Sequence, residues 1–402
     1  MVSSVYIAKN VYGGDGLGRL GDGRVVFVPG AWAGEQVKAE ITAEKRGYVK
    51  ARLVEVVEPS PDRIDGGEFA AVPGCVYAGL SYAAERRAKA AQLTEFLERM
   101  RIDVPVETVE TSREGESPFG YRNKVVYHFG RKNGKIAIGY RVEPAHEVVD
   151  VESDPLAARE INAKLPEIRK AVMSLLTQGA ESVRRDLFSK GNLTVRWSEK
   201  TGVKWWVGEA PKDLVFREVT CGRTFEVPAG GFYQINPRVG GILVKTVVDE
   251  LDRDPSEAEK ILDLYCGVGV FGLCAVAAKP GRGLTGVESG RRAVEFAGRN
   301  AAAMGVTAEF FAGETARMLR RLKCDGKTTV IVDPPRGGME RATVEFLVRS
   351  GAPKICYVSC DPATLQRDLK VLCSAYRVKS VKWFDMFPRT ARFETLVVLT
   401  RI

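Results

Sequence analysis

The chain has 402 residues, of which 45% are hydrophobic, so it is long enough to form two or three domains with buried cores. Sixty lysine and arginine residues against 51 aspartate and glutamate residues give a net charge of +9, a modest excess that favours a polyanionic partner without requiring one. The sequence begins with a polar, glycine-rich stretch and contains no apolar run of about 20 residues, so we exclude a membrane-spanning helix and expect a soluble, cytoplasmic protein.

The first 58 residues carry the pattern of a small β-barrel. Short runs rich in β-branched residues, at positions 25–28, 36–41 and 48–57, are separated by glycine-rich turns, a spacing typical of a closed barrel. The second half clusters cations with one aromatic residue: Lys38, Lys45, Arg46, Tyr48, Lys50 and Arg52. Such a cluster can bind phosphates and stack on bases, although a solvated basic pair of strands explains it equally well. A turn-rich break at residues 58–62 predicts the end of this domain, 1–58.

Residues 59–250 have the mixed pattern of an α+β domain. Apolar residues recur three and four apart over residues 82–100, which predicts an amphipathic helix, and residues 155–187 are also mainly helical. Strands are predicted at residues 121–128, 135–140, 146–151, 192–207 and 214–227, with Asn133 and Gly134 as a hairpin turn. The loop Gly-Tyr-Arg-Asn-Lys at 120–124 places two cations and an amide beside an aromatic ring, which predicts an RNA-contact loop, with a capped turn as the alternative.

Beyond residue 251, strands and helices alternate regularly. Strands are predicted at residues 261–265, 283–287, 309–311, 329–332, 354–358, 377–384 and 394–399. Helices are predicted at residues 271–278, 291–304, 314–322, 342–349 and 364–373. This alternation is typical of a doubly wound, mostly parallel sheet with helices on both faces. We therefore expect a multi-domain α/β protein whose third domain is 251–402.

The first strand of this sheet leads into a glycine loop that predicts a nucleoside-cofactor site. Gly267 and Gly269 let the backbone pass close to a ligand at a helix N-terminus, and Glu288 ends the next strand, where an acidic residue commonly binds ribose hydroxyls. Val270 is not the third glycine of a dinucleotide fingerprint, so S-adenosylmethionine is favoured over NAD. A plain tight turn is the remaining alternative.

Three polar side chains stand at the ends of predicted strands in the same sheet. Cys360 lies at a strand-to-helix corner, and placement at a helix N-terminus favours its thiolate; a small apolar cysteine filling space is the alternative. Asp333 opens a rigid Asp-Pro-Pro-Arg loop, which could also be simply a strand stop. Glu394 heads the last strand, where it could serve as a general base or lie in solvent.

Together these residues fit the methylation of carbon 5 of uracil. Carbon 5 is a poor nucleophile, and a thiolate that adds at carbon 6 turns it into an enolate carbon able to attack the methyl group of a sulfonium. A base must then remove the proton from carbon 5 so that the thiolate can leave. Cys360, Glu394 and the glycine loop with Glu288 supply the nucleophile, the base and the cofactor site. Because carbon 6 is unreachable in a stacked helix, we expect the target base to flip out.

The sequence resembles the RNA uridine carbon-5 methyltransferase family over nearly the whole chain. The matching stretches are GGFYQIN (230–236), ILDLYCGVGVFGL (261–273), GVE (286–288), VDPPRGGM (332–339), YVSCDPATLQRDL (357–369) and DMFPRT followed by FE (385–394). The loop at 120–124 resembles the family's central-domain signature, and the N-terminal stretch resembles its TRAM domain, an OB-like barrel. The resemblance implies a C-terminal Rossmann-like class I S-adenosylmethionine-dependent methyltransferase domain.

The resemblance also implies roles for individual residues. Cys360 is implied as the nucleophile and Glu394 as the base. The implied contacts of S-adenosylmethionine are Gln234, Tyr265, Glu288 and Asp333, which join Gly267 of the glycine loop. A further family contact falls on Val270, which is apolar and is not assigned a role here.

Two departures from the family pattern bear on cofactors and substrate. Many members hold an iron–sulfur cluster with four cysteines, whereas here only Cys75 remains and the fourth position falls near Asp154. One thiol cannot hold a cluster that needs four ligands, so we predict neither this cluster nor another metal site. The eight cysteines lack framework spacing and are expected to be reduced. The family's histidine before the base is replaced by residues 391–393, Ala-Arg-Phe, which affects substrate positioning more than the reaction.

The predicted activity is S-adenosylmethionine-dependent formation of 5-methyluridine in structured RNA, by a monomeric enzyme. The TRAM-like barrel favours 23S ribosomal RNA, and transfer RNA is the alternative substrate. A methyltransferase acting on an exocyclic nitrogen could use the Asp-Pro-Pro loop but would not need Cys360 or Glu394. A non-catalytic RNA-binding or folding protein would explain the lost cluster ligands, but such a protein could freely lose the catalytic and cofactor residues that are present here.

Overall fold

The chain folds as two units in the computed structural model, which describes residues 2–67, 72–111, 117–132, 135–142, 147–178, 181–253 and 259–402. The first unit comprises Met1–Glu95 together with Phe387–Phe393, and the second comprises Phe96–Met386 together with Glu394–Ile402. The division into domains 1–58, 59–250 and 251–402 stays a prediction. No helix in the described part of the chain is long and apolar enough to cross a membrane.

The first unit begins with the predicted closed barrel, which is confirmed. Its strands are β1 (Val2–Asn10), β2 (Gly16–Arg19), β3 (Val25–Val28), β4 (Gln36–Lys45) and β5 (Tyr48–Glu58), in the order β1-β2-β3-β5-β4. Val5, Ile7 and Val37 are among the buried residues that fill it. The sequence pattern did not predict β1. It did not predict β2 either, because half of that strand is glycine. Those glycines are needed for packing: a Cβ on Gly18 would lie 2.4 Å from the carbonyl oxygen of Tyr6 on β1.

Two of the five cations in the cluster predicted on the barrel are paired with acidic residues. Lys38 contacts Glu55 at 2.8 Å and Arg52 contacts Glu40 at 2.5 Å, both across the β4–β5 pair. The Tyr48 ring packs edge-on against Phe27, with ring centroids 5.4 Å apart. Lys38 and Arg52 therefore match the solvated basic strand pair, whereas Lys45, Arg46 and Lys50 are exposed, so phosphate binding by this surface stays a prediction.

Helix α1 (Tyr82–Arg99) and the segment Phe387–Phe393 contribute a buried cluster of charges to the first unit. Arg389 donates from Nη1 to Glu85 at 3.0 Å and from Nη2 to the carbonyl oxygens of Ala78 and Leu80, each at 2.9 Å. Lys89, which is fully buried, contacts the same Glu85 at 2.7 Å. Because removing one partner of a buried ion pair is strongly destabilising, these contacts fix the segment firmly within the unit.

The second unit contains a central five-stranded antiparallel sheet in the order β11-β10-β7-β8-β9. Its elements are β7 (Lys124–Lys132), β8 (Lys135–Val142), β9 (Glu147–Asp150), α2 (Arg159–Gln178), α3 (Glu181–Lys190), β10 (Asn192–Ser198) and β11 (Gly202–Val207). The preceding strand, β6 (Val106–Thr108), joins another sheet. Helix α2 buries Ile161, Leu165, Ile168, Val172 and Leu176 in the same core as Tyr127 and Leu193. The predicted turn at Asn133–Gly134 and the start of a strand at His146 lie outside the described residues.

Two segments that were each predicted as one strand are hairpins of two strands. Residues 192–207 form β10 and β11, and residues 214–227 lie largely in β12 (Val215–Thr220) and β13 (Arg223–Pro228), because Gly202, Cys221 and Gly222 adopt positive φ and turn the chain.

Helix α4 (Pro237–Asp252) follows these hairpins and was not predicted. The Asn236 side chain caps it by accepting from the backbone N–H of Val239 at 3.3 Å. Two adjacent glycines and several β-branched residues weaken its helical pattern in the sequence.

The largest sheet has eight strands in the order β16-β15-β14-β17-β18-β20-β19-β6. Its other strands are β14 (Lys260–Leu264), β15 (Gly283–Glu288), β16 (Ala308–Ala312), β17 (Thr328–Val332), β18 (Lys354–Ser359), β19 (Tyr376–Phe384) and β20 (Glu394–Arg401). The helices are α5 (Val270–Ala278), α6 (Arg291–Ala303), α7 (Thr315–Met318), α8 (Arg341–Arg349) and α9 (Pro362–Leu372). Strands β14 to β18 are parallel, and β20 runs antiparallel to both neighbours, as the predicted mostly parallel sheet requires.

Candidate active site

Three predicted site residues meet at one edge of the large sheet because of its strand register. Ser359 at the end of β18 pairs with Thr395 near the start of β20, so Cys360 and Glu394 are the next residues on two adjacent strands. Val332 pairs with Tyr357 on β18, and Asp333 follows Val332 directly. The nucleophile, the base and the Asp-Pro-Pro loop expected from the sequence are thus neighbours in space.

The corner that carries Cys360 is held by helix capping. The Asp361 side chain accepts from the backbone N–H groups of Ala363 and Thr364 at 3.0 and 3.3 Å, and Pro362 occupies the first turn. Helix α9 therefore begins at Pro362, slightly earlier than predicted. This local geometry holds the half-buried Cys360 immediately before the capping residue of the helix.

The expectation that the Cys360 thiolate is favoured was wrong for the protein without RNA. Burial, together with the nearby carboxyl groups of Glu394 and Asp333, raises the pKa of Cys360 to about 12, while Arg336 acts in the opposite direction. The N-terminus of a helix stabilises an anion by about 0.3 to 1 kcal/mol at an exposed site. Desolvation and two neighbouring acidic groups outweigh that contribution, so the resting thiol is protonated near neutral pH.

The two carboxyl groups at this edge are also perturbed. Burial and the charge of Asp333 raise the pKa of Glu394 well above its usual range, and Arg336 opposes this shift. Burial raises the pKa of Asp333 to about 7. Clustered groups with raised pKa values are typical of catalytic sites, because a low-dielectric edge disfavours several negative charges together.

The pKa values of two thiols predict that the proposed nucleophile Cys360 is less reactive in the free protein than Cys221. A hydrogen bond from Cys274 lowers the pKa of the exposed Cys221 to about 7, whereas that of Cys360 is raised to about 12. At pH 7.5 we expect iodoacetamide to alkylate Cys221 well before Cys360, because the thiolate reacts. The Cys360 rate should then rise about tenfold per pH unit up to pH 9, since its thiolate fraction grows in proportion. Peptide mass spectrometry measures both rates, with Cys360→Ser identifying the peptide; equal rates at pH 7.5 would contradict the assignment.

A cavity lies beside this edge and is lined by most of the predicted cofactor contacts. Gln234, Tyr265, Gly267 and Asp333 line it, together with apolar Phe271. Glu288 reaches the same loop from β15, where its Oε2 accepts from the backbone N–H of Gly267 at 3.2 Å. The cavity and the adjacent Glu288 together offer an amide, a phenol, two carboxyl groups and an apolar wall. These groups suit the amino acid, sulfonium, ribose and adenine parts of S-adenosylmethionine.

A buried carboxyl group holds together the strand before the glycine loop and the helix after it. Asp263 is fully buried, and its Oδ2 accepts from the backbone N–H of Gly272 at 2.9 Å, which ties β14 to α5. Burial raises the pKa of Asp263 to about 7. A Cβ on Gly272 would lie 2.5 Å from Cδ1 of Leu284 and 2.9 Å from Oδ2 of Asp263, so at least one of these side chains would have to shift.

Neither a role for Arg336 nor the backbone conformation of Tyr265 was predicted from the sequence. Arg336 is the cation that opposes the pKa shifts of both Cys360 and Glu394, and its position in the Asp-Pro-Pro-Arg loop was the available signal. Tyr265 adopts a positive φ of 63°, a strained conformation for a residue other than glycine, and its hydroxyl donates to Glu340. Within the described ranges, no group of three or more histidine, cysteine, aspartate or glutamate residues could hold a metal ion.

Comparison with known proteins gives consistent matches. The sequence model of the tRNA (Uracil-5-)-methyltransferase family matches residues 219–402, and that of the TRAM domain matches residues 5–54. An uncharacterized RNA methyltransferase of Streptomyces avermitilis is 32% identical over 98% of this chain and 97% of its own length. One of Thermosynechococcus vestitus is 29% identical over 96% and 95%. The crystal structure of Pyrococcus abyssi tRNA (uracil-54, C5)-methyltransferase with S-adenosyl-L-homocysteine is similar with a TM-score of 0.75 and 25% identity, covering 98% of this chain and 99% of that one.

Proposed function

Because this chain belongs to the RNA (uracil-5-)-methyltransferase family and is an S-adenosylmethionine-dependent RNA methyltransferase, we propose that it methylates carbon 5 of a specific uridine through a covalent adduct of Cys360. The observation that carries this proposal is the strand register that makes Cys360 and Glu394 neighbours, with Asp333 on the adjacent strand. An exocyclic-nitrogen methyltransferase would have no use for the first two residues.

The proposed reaction balances with the residues at this edge. The Cys360 thiol loses its proton to solvent, its sulfur bonds to carbon 6, and the electron pair of the double bond moves to the carbon 4 oxygen. Carbon 5 then uses this pair to bond to the methyl group that S-adenosylmethionine supplies, and the sulfonium sulfur keeps the pair of the bond that breaks. Glu394 then takes the proton from carbon 5, and the freed electron pair restores the double bond as the bond between sulfur and carbon 6 breaks. Arg336 favours the ionised form of both side chains and so supports the first and last steps.

The cofactor is proposed to bind in the cavity beside the glycine loop. Glu288 is suited to the ribose hydroxyls, Asp333 to the positive sulfonium region, and Gln234, Tyr265 and Gly267 to the remaining polar groups. The apolar wall that includes Phe271 is suited to the adenine ring.

Transfer RNA is the better supported substrate, and large-subunit ribosomal RNA is the second candidate. The whole-length similarity to a tRNA (uracil-54, C5)-methyltransferase favours the first, whereas the TRAM-like barrel favoured 23S ribosomal RNA from sequence alone. We propose that a cytoplasmic monomer recognises the RNA through the domains 1–58 and 59–250 and methylates it with domain 251–402. The shape of the RNA, not a base-reading code, would select the uridine.

The test uses unmodified transcripts of tRNA and of 23S ribosomal RNA fragments. Each is incubated with the protein and methyl-labelled S-adenosylmethionine, digested to nucleosides and analysed by mass spectrometry. Label in 5-methyluridine from one transcript supports the proposal and identifies the RNA class. Label in a different nucleoside, or in neither transcript set nor total RNA from cells lacking the modification, would overturn it.

We also expect the purified protein to be colourless, without an iron–sulfur cluster. Cys75 is the single remaining ligand of the family's four and is buried in the first unit. A cluster bound by one thiol would lack the ligands that stabilise it. Protein purified without oxygen should show no absorption near 400 nm and negligible iron and acid-labile sulfide. Near-stoichiometric amounts of both would contradict the prediction.

A further inference from the structure

The Gly-Tyr-Arg-Asn-Lys loop contains a buried residue that faces the protein interior. Asn123 is 2% exposed and lies directly before β7. Its backbone N–H donates to the carbonyl oxygen of Ile235 at 2.9 Å, and its Nδ2 donates to that of Gln234 at 3.3 Å. Its own carbonyl oxygen accepts from the backbone N–H of Trp197 at 2.8 Å. These contacts attach Asn123 to the segment that carries Gln234, so that its hydrogen-bonding groups are used within the protein and not at the surface.

Arg196 on β10 attaches the other end of the same segment, residues 228–235, which we call the cofactor segment. Its side chain is 1% exposed, and Nη1 donates toward the carbonyl oxygens of Pro228, Ala229 and Gly231 at 3.2 to 3.4 Å. Nη2 donates to Glu218 at 3.0 Å, which balances the buried charge. Backbone carbonyls converging on a buried guanidinium are held in place by charge-assisted hydrogen bonds.

The two attachments belong to one corner of the central sheet. Arg196 pairs in register with Lys124, the residue that follows Asn123. Between the two attached ends, the Tyr233 hydroxyl bonds to Thr220, and a Cβ on Gly240 would lie 2.7 Å from the Cβ of Gln234. The cofactor segment is thus fixed at its start, at its end and against α4.

We infer that Asn123 and Arg196 are positioning residues for the cofactor, holding the cofactor segment so that Gln234 faces the cavity. The inference rests on the proposed role of Gln234 as a contact of S-adenosylmethionine. A site held in its binding geometry before the ligand arrives loses less conformational freedom on binding. It also changes the interpretation of the loop at 120–124: both donors of Asn123 are directed at the protein, so this residue serves the cofactor and not the RNA.

The test compares affinities for cofactor and for RNA. Asn123→Ala and Arg196→Met should bind S-adenosyl-L-homocysteine about 10- to 100-fold more weakly by calorimetry of the RNA-free protein, because each loses hydrogen bonds that fix the segment. RNA affinity by filter binding should change less than about twofold. Arg196→Lys should recover part of the affinity, since a cation is retained. Lys204→Met is the matched control, because Lys204 pairs with Arg196 from the other side but is exposed, and it should leave both affinities unchanged.

Arg196→Met leaves the carboxylate of Glu218 buried without its partner. The double variant Arg196→Met/Glu218→Gln, which removes that charge, is therefore measured as well. Melting curves without ligand test whether each variant is folded. Asn123→Ala is the smallest change and decides the question if the arginine variants do not fold. Weakened RNA binding with unchanged cofactor affinity in Asn123→Ala would overturn the inference. Gln234→Ala separates it from the proposed function: if Gln234→Ala binds the cofactor normally, the cofactor assignment fails. If Gln234→Ala is weak but Asn123→Ala and the folded Arg196 variants bind normally, only the positioning role fails.

Discussion

Replacing Cys360 by alanine is expected to reduce methyl transfer by at least about 10³-fold, because the reaction loses its covalent nucleophile. Without the bond to carbon 6, carbon 5 of uracil has too little electron density to attack a methyl group. The half-buried position of Cys360 and the capped start of α9 should keep the fold intact in this variant, since only one sulfur atom is removed.

RNA that contains 5-fluorouridine provides the direct measurement. Fluorine at carbon 5 cannot be removed as a proton, so wild-type protein with S-adenosylmethionine should form an adduct that migrates slowly in a denaturing gel. The adduct should be absent in Cys360→Ala and present in Cys373→Ala, a control at the other end of α9. Methyl transfer by Cys360→Ala at a rate near that of the wild type would rule out the covalent mechanism.

Replacing Glu394 by glutamine should slow product release about 10²- to 10⁴-fold, the usual contribution of a general base, while leaving adduct formation possible. The amide is nearly the same size as the carboxyl group and remains neutral, so it fits a site in which burial and Asp333 already disfavour a charge. It cannot accept the proton from carbon 5. Ordinary, unfluorinated RNA should therefore accumulate as a methylated complex with the protein.

The trapped complex is measured on denaturing gels with label in the methyl group. Wild-type protein should show little of it, because the proton is removed and the thiolate leaves. Glu345→Gln on α8 is a suitable control, since Glu345 forms only a surface ion pair with Arg341 at 2.8 Å. Rapid turnover by Glu394→Gln, with no labelled complex, would assign the base to another group.

The catalytic fold could be predicted because its local signals agree with its tertiary structure. Buried strands alternate with amphipathic helices from β14 onwards, and the turn residues around Cys360 mark the corner without further information. Strand β2 and helix α4 could not be predicted, because their glycines serve close packing against residues outside each element, Tyr6 and Gln234. Local propensity gives no indication of such contacts.

Two features of this region depend on distant parts of the chain. The loop at 120–124 was predicted to contact RNA, which stays a prediction, but its residue Asn123 is buried by a segment more than a hundred residues later in the chain. The thiolate at Cys360 was expected from its own helix, yet burial raises the pKa of this thiol, and Glu394 and Asp333 on other strands add to the shift. In both cases the surroundings of the residue come from distant parts of the sequence, which composition and spacing do not reveal.

The buried ion pair between Arg389 and Glu85 has a consequence for chimeras between family members. Its two halves are 304 positions apart in the sequence, one before the central sheet and one just ahead of the last strand. A recombinant that takes the N-terminal barrel and α1 from a relative without a carboxylate at the position of Glu85 would leave Arg389 as an uncompensated charge in a buried site. In such a chimera the two positions should therefore be exchanged together.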